Sequence, residues 1–145
     1  MGLRLHHSVE INTAADSVWR VITDFAGYKE WADFKGELSG AVRKGALITV
    51  TARPKPGKVK ITFFRITECE APRVLRWSAM YGPFWSFSGS RFFIIEELGP
   101  RQVRVTTGEE YTGWALPLLR RQFTERGPAA FEKFCAALKR KCEAP

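Results

Sequence analysis

The sequence predicts an α+β fold in which a curved antiparallel sheet wraps a long C-terminal helix. The observations behind this are an alternating first segment, a long run of alternating segments between Ala46 and Tyr111, and a switch to helical spacing from Leu116. Strands and helices fall in blocks rather than in βαβ alternation, so the sheet is expected to be antiparallel. At 145 residues the chain reads as one domain, 1–145, and its 45% apolar content suffices for a sizeable core.

Each element has a local reason. Leu3, Leu5, His7, Val9 and Ile11 alternate with Arg4, His6, Ser8 and Glu10, the period of a half-buried strand. Thr13, followed three residues later by Asp16, reads as the cap of a short helix from Ala14 to about Asp24, with Val18, Ile22 and Phe25 on one face. Tyr28 and Trp31, after Gly27, give another helical turn, and the GELSG and RKG segments then punctuate the chain. The meander is divided by Pro54/Pro56/Gly57, Ala71-Pro72, Gly82-Pro83 and Gly99-Pro100. Its inward sets are Ala46, Ile48, Val50 and Ala52; Leu75, Trp77, Ala79 and Tyr81; and Phe87, Gly89, Arg91, Phe93 and Ile95. In the terminal helix Leu119, Phe123, Phe131, Phe134, Cys135, Leu138 and Cys142 form one stripe, which Gly127-Pro128 should kink or restart.

Composition excludes several classes. The formal charge is +8, yet the basic residues are scattered without a nucleic-acid motif and read as solvated faces. No nucleic-acid partner is expected, while contact with anionic surfaces stays open. No apolar run approaches the ~18 residues of a spanning helix, and the N-terminus lacks the pattern of a signal peptide, so a cytoplasmic location is expected. Cys69, Cys135 and Cys142 lack metal or disulfide spacing and read as reduced thiols. His7 lies on the apolar strand face and His6 on the polar one, so they cannot share a metal, and His7 reads as a core histidine. Asp24, Glu30 and Asp33 are explained by capping or solvation. With no GxSxG, P-loop, GxGxxG or HExxH pattern, no cofactor, metal or catalytic residue is assigned.

Several segments together resemble the START-like, helix-grip (SRPBCC) superfamily, in its polyketide cyclase/dehydrase and lipid-transport branch. They are Thr13-Ala14-Ala15-Asp16-Ser17-Val18-Trp19, Thr23-Asp24-Phe25 with Tyr28 and Trp31, Glu68 to Pro72, Leu75-Arg76-Trp77, Gly89 to Phe93, and Glu109-Glu110-Tyr111-Thr112-Gly113. The resemblance runs nearly end to end. It implies a hollow between sheet and helix, lined by Trp77, Tyr81, Phe87, Phe93, Tyr111 and Phe123, with Trp31 closing one end, suited to flat apolar ligands.

Arg91 is the anomaly, a charge on the same face as Phe87, Phe93 and Ile95. A hairpin loop from Leu98 to Gln102 would set Glu97 against Val103, Ile95 against Val105, Phe93 against Thr107 and Arg91 against Glu109, an inward ion pair. The resemblance points to the same two positions, the first of which is often histidine in the family; arginine here puts a family proton-transfer role in doubt. The pair reads either as strand-orienting structure or as an anchor for an acidic ligand. The expected function is binding of a small hydrophobic or amphipathic molecule for transport, sensing or sequestration, with Arg91, Thr107 and Glu109 as polar elements. The rival is a cyclase or aromatase in which Arg91, Thr107, Glu109 and Tyr111 hold and polarise a chain. A third reading, an interaction module, would use Phe92 and Ile94 on the outer face, which could equally be a homodimer seam.

Overall fold

The computed structural model describes residues 2–32, 36–81, 84 and 86–144, without the side chains of Tyr81, Leu119, Gln122, Phe123 and Arg126. The first strand, β1 (Leu3–Ile11), follows the alternation of its sequence, with Leu3 and Ile11 buried. Helix α1 (Ala15–Thr23) buries Val18 and Ile22, four residues apart. A 3₁₀ turn at Phe25–Gly27 leads into the single turn α2 (Tyr28–Trp31). Then come β2 (Gly36–Gly40), β3 (Leu47–Ala52), β4 (Lys60–Glu70), β5 (Val74–Tyr81), β6 (Phe87–Gly99), β7 (Gln102–Thr112) and helix α3 (Leu116–Glu143).

The strands form one antiparallel sheet in the order β1-β7-β6-β5-β4-β3-β2. The short helices carry the chain from one edge strand to the other, and the meander walks back until β7 pairs with β1, from Leu3 opposite Tyr111 to Ile11 opposite Val103. The sheet curves around α3, which packs most extensively on β1 and also meets β7, α1 and α2. The main core lies between them and includes Ile48, Ile66, Leu75, Val103, Val105 and Leu138, each all but inaccessible to solvent. A smaller cluster of Leu3, Tyr111 and Leu116, flanked by Leu5 and Phe87, closes the other end.

Five expectations need correction. Thr13 does not cap α1: the cap position is Ala14, no side chain bonds there, and Thr13 is buried with its N–H on the Ile11 carbonyl. The GELSG segment is a strand rather than punctuation. Only Leu38 of it is buried, and its glycines suit a crowded edge, since a Cβ on Gly40, at φ +136°, would lie 2.7 Å from the Leu47 carbonyl. The β6–β7 turn is tighter than expected, with Gly99 opposite Gln102 and the extra residue absorbed in a bulge between Glu97 and Gly99, although Glu97 still faces Val103.

Of the kink or restart expected at Gly127-Pro128, the restart does not occur: helix α3 is one element with Pro128 inside. Gly127 serves packing, because a Cβ there would come within 2.5 Å of Leu5 Cδ1 on β1. Pro128 and Thr124 are both exposed, so water can satisfy the carbonyl that Pro128 leaves free. On the outer face Phe92 is no exposed patch. Its ring is wholly buried beneath the guanidinium groups of Arg4 and Arg76, at 4.6 and 5.2 Å from its centroid. Glu68 and Glu110 hold Arg76 there at 2.7 and 3.0 Å, so neither an interaction face nor a dimer seam can use Phe92 as an exposed anchor.

Candidate functional site

Between the concave face of the sheet and α3 lies a cavity of about 750 Å³. Alternation in β5 and β6 aims Trp77, Phe87, Arg91 and Phe93 into it, and β7 adds Glu109 and Tyr111. Helix α3 supplies Phe131 and Phe134 one turn apart, β4 supplies Phe64, and Tyr28 comes from α2. Aromatic rings continue from one element to the next. Phe25 meets Trp77 edge-on at 5.7 Å, Trp77 meets Phe93 at 5.6 Å, Phe93 meets Phe134 at 5.9 Å, and Phe134 meets Trp31 at 5.3 Å.

Of the residues singled out from sequence, Trp77, Phe87, Arg91, Phe93, Glu109 and Tyr111 line this cavity. Trp31 does not; it stacks behind Phe134 and Tyr28 and borders a separate shallow cleft with Arg20 and Lys141. Thr107 stands behind the wall, fully buried, and acts through Arg91. The side chains of Tyr81 and Phe123 lie outside the described residues, as do the Gly82-Pro83 turn and Asp33. Sequence reasoning passed over Tyr28, Phe64, Phe131, Phe134, Lys60 and Lys133 as lining residues. Phe131 and Phe134 were visible as a helical stripe and Tyr28 as a helical turn, but nothing in the spacing distinguishes a stripe that fills a core from one that faces a hollow. For Lys60 and Lys133 the sequence holds no signal.

The register places Arg91 opposite Glu109, as the alternation requires. The expected ion pair is nevertheless not made. The Arg91 Nε donates instead to Thr107 Oγ1 at 3.1 Å, and that hydroxyl donates to the Phe92 carbonyl at 2.8 Å. The guanidinium carbon sits 4.6 Å from the Phe134 centroid, 5.0 Å from Phe93 and 5.2 Å from Phe131. Burial lowers the Arg91 pKa, and the Glu109 charge counters this, so the carboxylate acts at a distance. Arginine stays protonated regardless. Its Nη2 is buried without a hydrogen-bond partner.

Tyr28 is no free acid: its hydroxyl donates to the Ile22 carbonyl, and burial drives its pKa far up. Among the described lining residues Glu109 is the one carboxylate. His7 is half-buried on β1 and does not line the cavity, and among the described residues no group of His, Cys, Asp and Glu could hold a metal ion. The thiols are free; burial raises Cys135 and Cys142 each to about 11, and Cys135 Sγ points to the His7 carbonyl at 3.8 Å. Among the described residues no helix is long and apolar enough to cross a membrane.

Solved structures share this architecture at low identity. The di-domain ARO/CYC BexL from the BE-7585A biosynthetic pathway superposes with a TM-score of 0.72 at 18% identity over 97% of this chain; the chain spans 46% of that protein. The Zhui aromatase/cyclase from Streptomyces sp. R1128 gives 0.69 at 15%, covering 99% of this chain and 98% of the other. Norcoclaurine synthase from Thalictrum flavum, solved with dopamine and hydroxybenzaldehyde, gives 0.69 at 14% over 97% and 86%. These likenesses establish the fold. By sequence no curated protein matches. A family match, however, covers residues 3–143, nearly the whole chain, and it agrees with the sheet, the grip on α3 and the hollow between them. The chain belongs to the polyketide cyclase/dehydrase and lipid-transport family.

Proposed function

We propose that this protein binds a small, flat, apolar or amphipathic molecule in the cavity between the sheet and α3, in transport, sensing or sequestration. The observation that carries the reading is a hollow of about 750 Å³ walled by Trp77, Phe93, Phe131 and Phe134. That size lies in the range of ligand pockets, and rings meeting edge-on or tilted present broad apolar faces to a planar guest. The Thalictrum neighbour was solved with two small aromatic compounds, which accords with such a use of the fold. Thermal shift and displacement of a neutral fluorescent probe test it. At a ligand concentration of ~100 Kd, binding adds about 2.7 kcal/mol, a rise in Tm of roughly 5–11 °C for a domain of this size. If a panel of polycyclic phenols, fatty acids and single-ring aromatics neither displaces the probe nor raises Tm, the reading is wrong.

A cyclase or aromatase reading has one observation in its favour: Glu109 is the one carboxylate among the described lining residues and forms no ion pair with another described residue, which leaves it available to take a proton. Turnover of a poly-β-keto substrate that is lost in Glu109→Gln with binding retained would favour the enzyme. Binding without turnover favours the carrier.

A further inference from the structure

We infer that the ligand is an apolar molecule bearing one oxyanion, of the carboxylate class, which Arg91 receives on the edge of its guanidinium group. The inference rests on the proposed cavity function and adds the chemistry of the guest.

The charge balance of the wall comes first. Among its described residues Lys60, Arg91 and Lys133 are cationic and Glu109 alone is acidic. None of the three cations forms an ion pair with another described residue. The cavity therefore holds an unneutralised positive excess, which a neutral guest would leave in place. Lys60 and Lys133 are exposed and can attract an anion from solution, while Arg91 lies on the inner wall among phenylalanines.

The geometry of Arg91 comes second. Three rings surround the guanidinium, and Nε is committed to Thr107. Because the Thr107 proton goes to the Phe92 carbonyl, the hydroxyl can only accept from Arg91, which fixes the plane of the guanidinium. Nη2 is left buried and unbonded, a state that native proteins seldom keep, while Arg91 as a whole is only half-buried where it lines the cavity. Glu109, opposite in register, is not in contact and does not fill this role. Thr107 is thus a positioning residue for a guanidinium that lines the cavity with its Nη2 unbonded.

Two fluorescent probes that share a ring system separate charge from apolar binding: anilinonaphthalene sulfonate and the neutral N-phenylnaphthylamine. Wild-type protein should bind the sulfonate about 10- to 100-fold more tightly, the factor expected of a hydrogen bond to a charged group. Arg91→Met should bring the two affinities, compared within that variant, to within about twofold of each other. The Lys60→Met/Lys133→Met double variant should retain most of the preference. Competition on wild-type protein needs no variant: naphthoate should displace the neutral probe at least tenfold better than naphthamide. Equal affinities in wild type, or a preference that survives Arg91→Met, or one abolished by the lysine variant alone, would overturn the inference and leave the apolar cavity standing. If neither probe binds, the cavity reading itself has failed.

Discussion

Thr107→Val tests the bond network at the centre of the site. The substitution keeps shape and removes one hydroxyl from a residue with no solvent exposure. Two bonds go with it: the charge-assisted contact from Arg91 Nε at 3.1 Å and the donation to the Phe92 carbonyl at 2.8 Å. The first is worth ~1.5–3 kcal/mol and the second ~0.5–1.5 kcal/mol, so the loss should be about 2–4 kcal/mol. For a domain of this size that lowers Tm by about 4–16 °C. In an Arg91→Met background the charged donor is already gone, and the same substitution should cost only about 1 kcal/mol. The coupling in the double-mutant cycle is then ~1.5–3 kcal/mol. Urea unfolding followed by tryptophan fluorescence, with m-values held equal, measures each corner. Costs of Thr107→Val that agree in both backgrounds would show that the Arg91–Thr107 bond does not form and that the guanidinium is not oriented as described.

Glu109→Gln should cost less than about 1 kcal/mol, because no contact ion pair is broken; a loss near the ~3–5 kcal/mol of a severed buried pair would restore the direct pairing, and denaturant titration decides. Cys135 and Cys142 are raised by burial from 9.0 to about 11, so the native state holds its thiol protons longer than the unfolded chain. Their contribution to stability is complete below pH 9 and falls away as pH rises through 11; Cys135→Ala should flatten that decline in unfolding titrations, and an unchanged slope would count against it. Arg4→Ala/Arg76→Ala removes the cover of Phe92 and three ion pairs, which should cost roughly 1–2 kcal/mol and promote self-association on size-exclusion chromatography, whereas an unaltered elution profile would mean the ring stays covered.

The fold was legible where periodicity and burial agree. Ile48 in β3, Leu75 and Trp77 in β5, and Phe93 and Ile95 in β6 lie in the core because side chains alternate between the two faces of a strand. The same rule carried the register across the β6–β7 hairpin even though the loop was drawn three residues too long: the bulge absorbed the error, and Arg91 still met Glu109. What failed were readings that assign a meaning to a single residue. Thr13 looked like a cap and is a buried side chain beside one; Gly127-Pro128 looked like a break and is a close contact with Leu5. The β2 strand has weak intrinsic preference and exists because β3 offers it an open edge, a reason that lies elsewhere in the chain.

The site shows the same division. Alternation could say that Arg91 points inward opposite a carboxylate, and the cost of a buried charge argued that the two would pair. The guanidinium instead found three rings and a hydroxyl, because the belt running from Trp77 through Phe93 to Phe134 provides enough negative ring face to hold a cation without a contact anion. Which partner wins depends on α3, whose Phe131 and Phe134 reach Arg91 from forty or more positions further along the chain. Strand pattern cannot see that helix. The consequence is functional as well as structural. A direct Arg91–Glu109 pair would be a closed, self-neutralised structural element. Arginine held by rings and Thr107 keeps its charge and its Nη2 uncommitted, and that difference is what would orient a guest in the proposed site.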